Sequence, residues 1–238
     1  KEMIDLASEV SGMDMNHLLF EENEELNITK YTQIAMLADE LAILQVLKEK
    51  GYTASVTAGL SLGEYAALVA SGVMTPEDAF RVVVKRGAYM QEAVPEGGAM
   101  TAIMGMDNET IEKICEETDG IVSVANYNCP GQTVITGEAP AVEAAAAALK
   151  AAGAKRCIPL NVSGPFHSAM LKEAGKELGK VLENVTLHPL QIPYVTNVTA
   201  EYVEDSAETK AFLEEQIASS VRWQQSVENM ISQGVDTF

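Results

Sequence analysis

Residues 57–72 read TAGLSLGEYAALVASG, and the reading of the whole chain turns on them. At their centre Gly59-Leu60-Ser61-Leu62-Gly63 has the G-x-S-x-G form of a nucleophile elbow. The flanks supply the context such a turn needs. Residues 52–58 predict a short buried strand, and residues 64–71, rich in Ala and Leu, predict a helix stopped by Gly72. A serine at a tight strand-to-helix turn is held in a strained backbone that lifts its hydroxyl clear of the sheet. Glycine on both sides removes the Cβ atoms expected to clash where strand and helix converge. The helix starts here, so its free N–H groups and positive dipole end face any oxyanion formed on an ester at Ser61. A plain glycine-rich turn is the competing reading, since the bare motif often arises by chance; strand and helix favour a catalytic serine.

Towards the amino terminus, residues 2–22 predict a helix with an acidic end and no attached chemistry. Residues 29–50 carry a long amphipathic pattern (Ile34, Leu37, Ala38, Leu41, Leu44, Leu47) closed by Gly51. On the other side of the elbow, Thr75-Pro76-Glu77-Asp78 is a strong helix start: a capping threonine, a proline in the first turn and an acid at the third position. That helix runs to residue 93 with Val82, Val83, Gly87 and Met90 on its apolar side. Arg86 lies among them, one turn before Met90. A basic residue on such a helix is usually a snorkelling surface side chain, and from pattern alone Arg86 reads that way.

Gly97-Gly98 breaks the chain, and the texture changes. Strands are predicted over 99–106, 121–126, 132–136 and 155–160, with helices over 108–118 and 139–152. The order β-α-β-β-α-β is the ferredoxin-like arrangement. The expected fold is therefore α/β: a hydrolase-like large subdomain with a parallel sheet (1–97 and 161–238), and an inserted ferredoxin-like small subdomain (98–160).

Beyond the insert, residues 168–183 predict an amphipathic helix, which places His167 at its amino-terminal edge. The helix dipole there disfavours imidazolium and would help keep the ring neutral, as a general base needs. A lone loop histidine is more often structural. Of the three histidines, His17 sits in a polar helix end and His188 precedes a proline, so His167 is the base candidate to pair with the elbow. A strand over 192–196 and helices over 207–219, containing Gln216, and 223–232 complete the pass.

Composition excludes several classes. Asp and Glu outnumber Lys and Arg by 35 to 16, a net charge of −19, which argues against nucleic acid as a partner. No apolar run is long enough to span a bilayer, so no membrane partner is expected. Cys115, Cys129 and Cys157 lack metal spacing; reduced thiols in a cytosolic protein are the expectation.

Taken together the motifs resemble the malonyl-CoA:acyl-carrier-protein transacylases and the related acyltransferase domains of polyketide and fatty acid synthases. The resemblance covers nearly the whole chain. It rests on GLSLGEYAALVASG (59–72), KRGAYMQEAVPEGGAM (85–100), NYNCPGQTVITG (126–137), GPFHSAML (164–171) and VRWQQSVENM (221–230), in that order. It implies transfer of malonyl from malonyl-CoA to the phosphopantetheine thiol of acyl carrier protein, in fatty acid biosynthesis, without cofactor or metal. Ser61 is then the nucleophile and His167 the base, Leu62 supplies an oxyanion N–H, and the backbone carbonyl of Gln216 orients the histidine in place of a carboxylate. Arg86, with Met90 near it, grips the free carboxylate of malonyl, and Phe166 matches the position that goes with malonyl rather than methylmalonyl. A cytoplasmic monomer is expected.

The chain departs from the family at Leu60, where histidine is usual. It also lacks the amino-terminal G-Q-G-S-Q-like loop that supplies a second oxyanion N–H, and the G-P-G-K-like segment expected after Phe238; a fragment is expected on those grounds. A charge of −19 requires a local basic patch for an acidic carrier, with Lys85, Lys155, Arg156, Lys172 and Lys176 as candidates. The competing readings are a serine esterase or thioesterase, a polyketide synthase acyltransferase domain, and an inert carrier-binding fragment.

Overall fold

Two separate sheets organise the chain in the computed structural model, which describes residues 1–162 and 164–238. In the large subdomain the expected helix over 2–22 is broken. Gly12, with φ 70°, ends α1 (Glu2–Ser11), and the Asp14 side chain accepts from Asn16 and His17 N–H to start α2 (Met15–Phe20). In α3 (Thr29–Glu49) Ile34, Leu37, Ala38 and Leu41 are buried, whereas Leu47 of the same stripe is exposed. In α5 (Pro76–Ala93) the Thr75 side chain accepts from Asp78 N–H, as its start signal predicts. α3 packs on α5, and α5 on α8 (Lys172–Glu183).

The sheet of this subdomain is shorter and less uniform than expected. β1 (Thr57–Ala58) runs parallel to β6 (Tyr194–Val195), but β7 (Tyr202–Val203) is antiparallel to β6, so the sheet is mixed. The strand predicted over 52–58 is paired only at its last two residues. Residues 52–55 are exposed and have no strand beside them among the described residues; Tyr52 N–H turns back to Leu47 O at 3.1 Å instead of joining a sheet.

The small subdomain comprises β2 (Gly98–Met104), α6 (Asn108–Glu117), β3 (Val122–Cys129), β4 (Gln132–Glu138), α7 (Ala139–Ala151) and β5 (Arg156–Pro159). Its strands pair antiparallel in the order β3-β4-β2-β5, the ferredoxin-like topology. Strand alternation divides its side chains between two faces. Ile103, Val124 and Ile135 meet Ile111 of α6 and Val142, Ala145 and Leu149 of α7. Met100, Ala102, Ala125 and Val134 form the other cluster, against which Phe166 packs. Phe166 also packs on the main core, so it stands at the seam between the two subdomains. The seam is tied by backbone as well. The segment after α9 (Thr209–Gln216) adds Val221 to the edge of β3, with Tyr127 N–H on Val221 O at 2.9 Å and Val221 N–H on Ala125 O at 2.8 Å. α10 (Trp223–Ser232) follows.

At the elbow, β1 passes through residues 59–62 into α4 (Gly63–Ala70). Ser61 has φ 53°, the strained left-handed region for a side-chain-bearing residue. The two motif glycines differ. A Cβ at Gly59 would lie 2.0 Å from the carbonyl carbon and oxygen of Gly63, whereas one at Gly63 would meet only Glu40 Oε1, at 3.8 Å. Glycine is required at the strand end and not at the helix start, which corrects the symmetric expectation. Gly59→Ala is expected to lose about 3 kcal/mol or more of stability, and Gly63→Ala to stay within about 1 kcal/mol of the parent. Chemical denaturation of both variants tests this, and equal losses would refute the asymmetry.

Candidate active site

The Ser61 hydroxyl, at the start of α4, lies 2.8 Å from His167 Nε2. His167 comes from the loop before α8, where Ser168 Oγ donates to Pro165 O at 2.7 Å and accepts from Met170 N–H at 3.3 Å. That tight turn holds His167 at φ 58°, so both members of the pair sit on left-handed backbone. The opposite ring nitrogen, Nδ1, is 2.9 Å from the backbone carbonyl of Gln216. A carbonyl only accepts, so Nδ1 carries the proton and Nε2 presents its lone pair to the Ser61 hydroxyl. α9 ends at Gln216, so this carbonyl takes only a long bond from Ser219 N–H, at 3.4 Å, and keeps a lone pair for the ring. The negative end of the helix dipole also faces the ring and favours the imidazolium formed when His167 accepts a proton.

In the resting protein His167 is neutral: its pKa is lowered to about 4 by burial and then by the Arg86 charge. The expected cause, the dipole of the following helix, does not apply. A 3-10 turn over Ala169–Leu171 intervenes, and α8 begins only at Lys172.

Arg86 is 1% exposed, so the surface reading of its pattern fails. Its Nη2 donates to Ser61 Oγ and to Gln216 Oε1, both at 3.0 Å, and its Nη1 to Gln33 Oε1 at 2.6 Å. The Tyr65 ring lies 5.6 Å from the guanidinium carbon. Each of these acceptors is neutral, and among the described residues no carboxylate forms an ion pair with Arg86. Met90 is buried, and its sulfur accepts from Gln33 Nε2 at 3.4 Å, so it acts on the amide that holds Arg86. The N–H of Leu62 points from the first turn of α4 with no acceptor among the described residues. Phe166 lies outside this bonded set, at the seam.

Three residues of the site are not predicted by the sequence reading. Asn197 clamps the elbow: its Oδ1 accepts from Ser61 N–H at 2.5 Å and its Nδ2 donates to Gly59 O at 2.6 Å. Glu64 is fully buried, and its Oε2 accepts from Gln216 Nε2 at 2.6 Å and from Asn197 N–H at 3.1 Å. Burial raises its pKa to about 7 against the pull of those bonds and of the Arg86 charge. Gln33 is the third. Its signal was a glutamine one turn before Leu37, on the inward face of α3; that of Glu64 was an acid inside an otherwise apolar helix. Asn197, in a short polar turn, had no comparable signal.

A serine activated by a neutral histidine, on an elbow opening into a helix, can carry an acyl group as an ester. The acyl transferase domain family matches residues 5–238, and the chain belongs to that family. It is 44% identical to the malonyl CoA-acyl carrier protein transacylase of Bacillus subtilis, over all of this chain and 77% of that protein. Among solved structures, the MCAT of Streptococcus pneumoniae superposes with a TM-score of 0.95 at 44% identity, over 100% of this chain and 78% of that one. A malonyl-transacylase in complex with its type II PKS acyl-carrier protein superposes at 0.94 with 47% identity, covering 98% and 77%.

The depressed His167 pKa has a stability consequence of definite sign. Above pH 6.5 the ring is neutral folded and unfolded and contributes nothing. As pH falls from 6.5 towards 4, the unfolded chain binds a proton that the native site refuses, so stability drops. Glu64, with its raised pKa, has the opposite trend in this window: the native carboxyl protonates first and adds stability as pH falls from 7 to 4.5. His167→Gln removes the first effect and keeps the second. Between pH 7 and 5 the wild type should lose about 2 kcal/mol more than the variant. Denaturation series at the two pH values check this; a variant as acid-sensitive as the wild type would contradict it.

Proposed function

We propose that this protein transfers the malonyl group from malonyl-CoA to the phosphopantetheine thiol of an acyl carrier protein, through an ester on Ser61. The observation that carries the reading is Arg86: a buried guanidinium, bonded to the nucleophile itself, surrounded by neutral acceptors and, among the described residues, without an ion-pair partner. An acyl group bearing its own carboxylate completes that site, and a bidentate guanidinium is the partner that offsets the carboxylate's desolvation. Similarity to the transacylases supports the same substrates.

In the first half-reaction Ser61 Oγ attacks the thioester carbonyl while its proton passes to His167 Nε2. The oxyanion is received by the Leu62 N–H and the amino-terminal end of α4. The intermediate collapses with loss of coenzyme A, whose sulfur takes the proton from His167. In the second half-reaction the carrier thiol gives its proton to His167 and attacks the ester, and Ser61 leaves with that proton. Gln216 holds the ring through both halves, Met90 acts through Gln33 on Arg86, and Phe166 walls the acyl site from the seam. Lys85, Lys155, Arg156 and Lys172 are exposed and available to an acidic carrier, while Lys176 is engaged by Glu173 at 2.7 Å.

Incubation with malonyl-CoA should add one malonyl mass to the intact protein, mapped to Ser61 and lost in Ser61→Ala. An adduct mapped to another residue would sink the ester assignment.

The arginine assignment is tested by comparing substrates. Removing one member of a buried charge pair typically loses roughly 2–5 kcal/mol. Arg86→Ala should therefore lower kcat/KM for malonyl-CoA by about 10²-fold or more, with little loss for acetyl-CoA. Arg86→Lys should restore only part, since an ammonium keeps the charge and loses the fork. Equal losses for both substrates would make Arg86 structural.

A further inference from the structure

Among the described residues Glu64 is the one fully buried carboxyl, and the proposed chemistry does not use it. It does not touch Arg86. The Gln216 amide stands between them, taking a hydrogen bond from Arg86 Nη2 at 3.0 Å on Oε1 and giving one to Glu64 Oε2 at 2.6 Å from Nε2. The other groups that face Glu64 hold no charge. Tyr65 on the same helix and Tyr194 on β6 are pushed upward, mainly by burial, and stay neutral phenols. Thr196 and Asn197 present only neutral polar atoms, and His167, beyond Gln216, is neutral for the reasons given above. Arg86 and Glu64 thus form the charge-bearing pair of this interior, joined by one amide. The Thr196 hydroxyl also acts on this carboxyl, but neither it nor Glu64 Oε1 has a hydrogen bond of good geometry among the described residues, so Oε1 can hold a proton.

We propose that Glu64 is the internal counter-charge of Arg86, and that it takes up a proton from solvent when a carboxylate-bearing acyl group binds at Arg86. The inference rests on the assignment of Arg86 under Proposed function. An incoming carboxylate shares the guanidinium with Glu64 in a low-dielectric interior, and two such carboxylates resist being ionised together. The substrate carboxylate is the stronger acid when bidentate on Arg86, so Glu64 is the group that neutralises. Its resting pKa of about 7 leaves it part-ionised near neutrality, and so able to respond. Ester formation adds no proton of its own, because the Ser61 proton leaves with coenzyme A.

The test uses the Ser61→Ala protein, in which binding is separated from acylation. Malonyl-CoA and acetyl-CoA are titrated near pH 7 by calorimetry in buffers of different ionisation enthalpy. Malonyl-CoA should bind with uptake of about half a proton per site, fading below about pH 6 where Glu64 is already protonated. Acetyl-CoA should bind with none. Glu64→Gln on the same background keeps both acceptor bonds and should abolish the uptake. Equal proton counts for the two thioesters, uptake that survives Glu64→Gln, or failure of malonyl-CoA to bind each overturn the inference. If the Glu64 variant does not fold, the malonyl–acetyl difference and its pH dependence still decide. Whether the wild type carries an ester at Ser61 is read separately by intact mass, so the failure of that reading is not confused with this one.

Discussion

Gln216 is the residue on which the rest of the site depends. Its backbone carbonyl fixes the tautomer of His167, its amide oxygen receives Arg86, and its amide nitrogen donates to Glu64 and, at 3.1 Å, to the Ser61 carbonyl. The carbonyl is available because α9 ends there: it is shared between the His167 ring at 2.9 Å and a longer bond from Ser219 N–H at 3.4 Å. The segment just beyond is stitched to β3 through Val221, so the small subdomain braces the same point from the other side.

The strain at the site has identifiable supports. Ser61 and His167 both adopt left-handed backbone, at a cost of order 1–3 kcal/mol each. Asn197 offsets this at Ser61 by clamping both sides of the turn, and the Ser168 cap does so at His167. Positive φ turns the two side chains towards each other across the junction of loop and helix, where ordinary backbone would aim them elsewhere. The hydrogen bond between them is what the strain secures.

Sequence reading reached the parts of this design that are local. The elbow, the Thr75 cap and the β-α-β-β-α-β order are fixed by neighbouring residues, and each is present. It failed where long-range contact decides. Pattern alone read Arg86 as a surface side chain, because amphipathic spacing cannot tell a snorkelling cation from one buried on amides that lie 53 and 130 positions away. The resemblance to a family corrected that reading, and the coordinates supply its physical reason. The strand over 52–58 was overextended because β-propensity does not report whether a neighbouring strand exists to pair with. Asn197 was illegible because its bonds to the elbow span more than 130 residues.

Among the described residues no acid stands behind His167, and the buried Arg86 beside the site gives a physical reason for a carbonyl in that place. In a triad, a carboxylate on the far ring nitrogen stabilises the imidazolium. Placed here it would lie within one residue's reach of a buried guanidinium, and the two would pair. Such a pair would satisfy Arg86 internally and set a fixed negative charge against an incoming substrate carboxylate, costing about 4 kcal/mol at 4 Å for an effective dielectric of 20. A helix-end carbonyl supplies the orientation and part of the electrostatic help while carrying no net charge. With Arg86 receiving an anionic acyl group as proposed, an ionised acid beside the base would oppose that group, whereas Glu64 stands one amide away with a pKa close to neutrality.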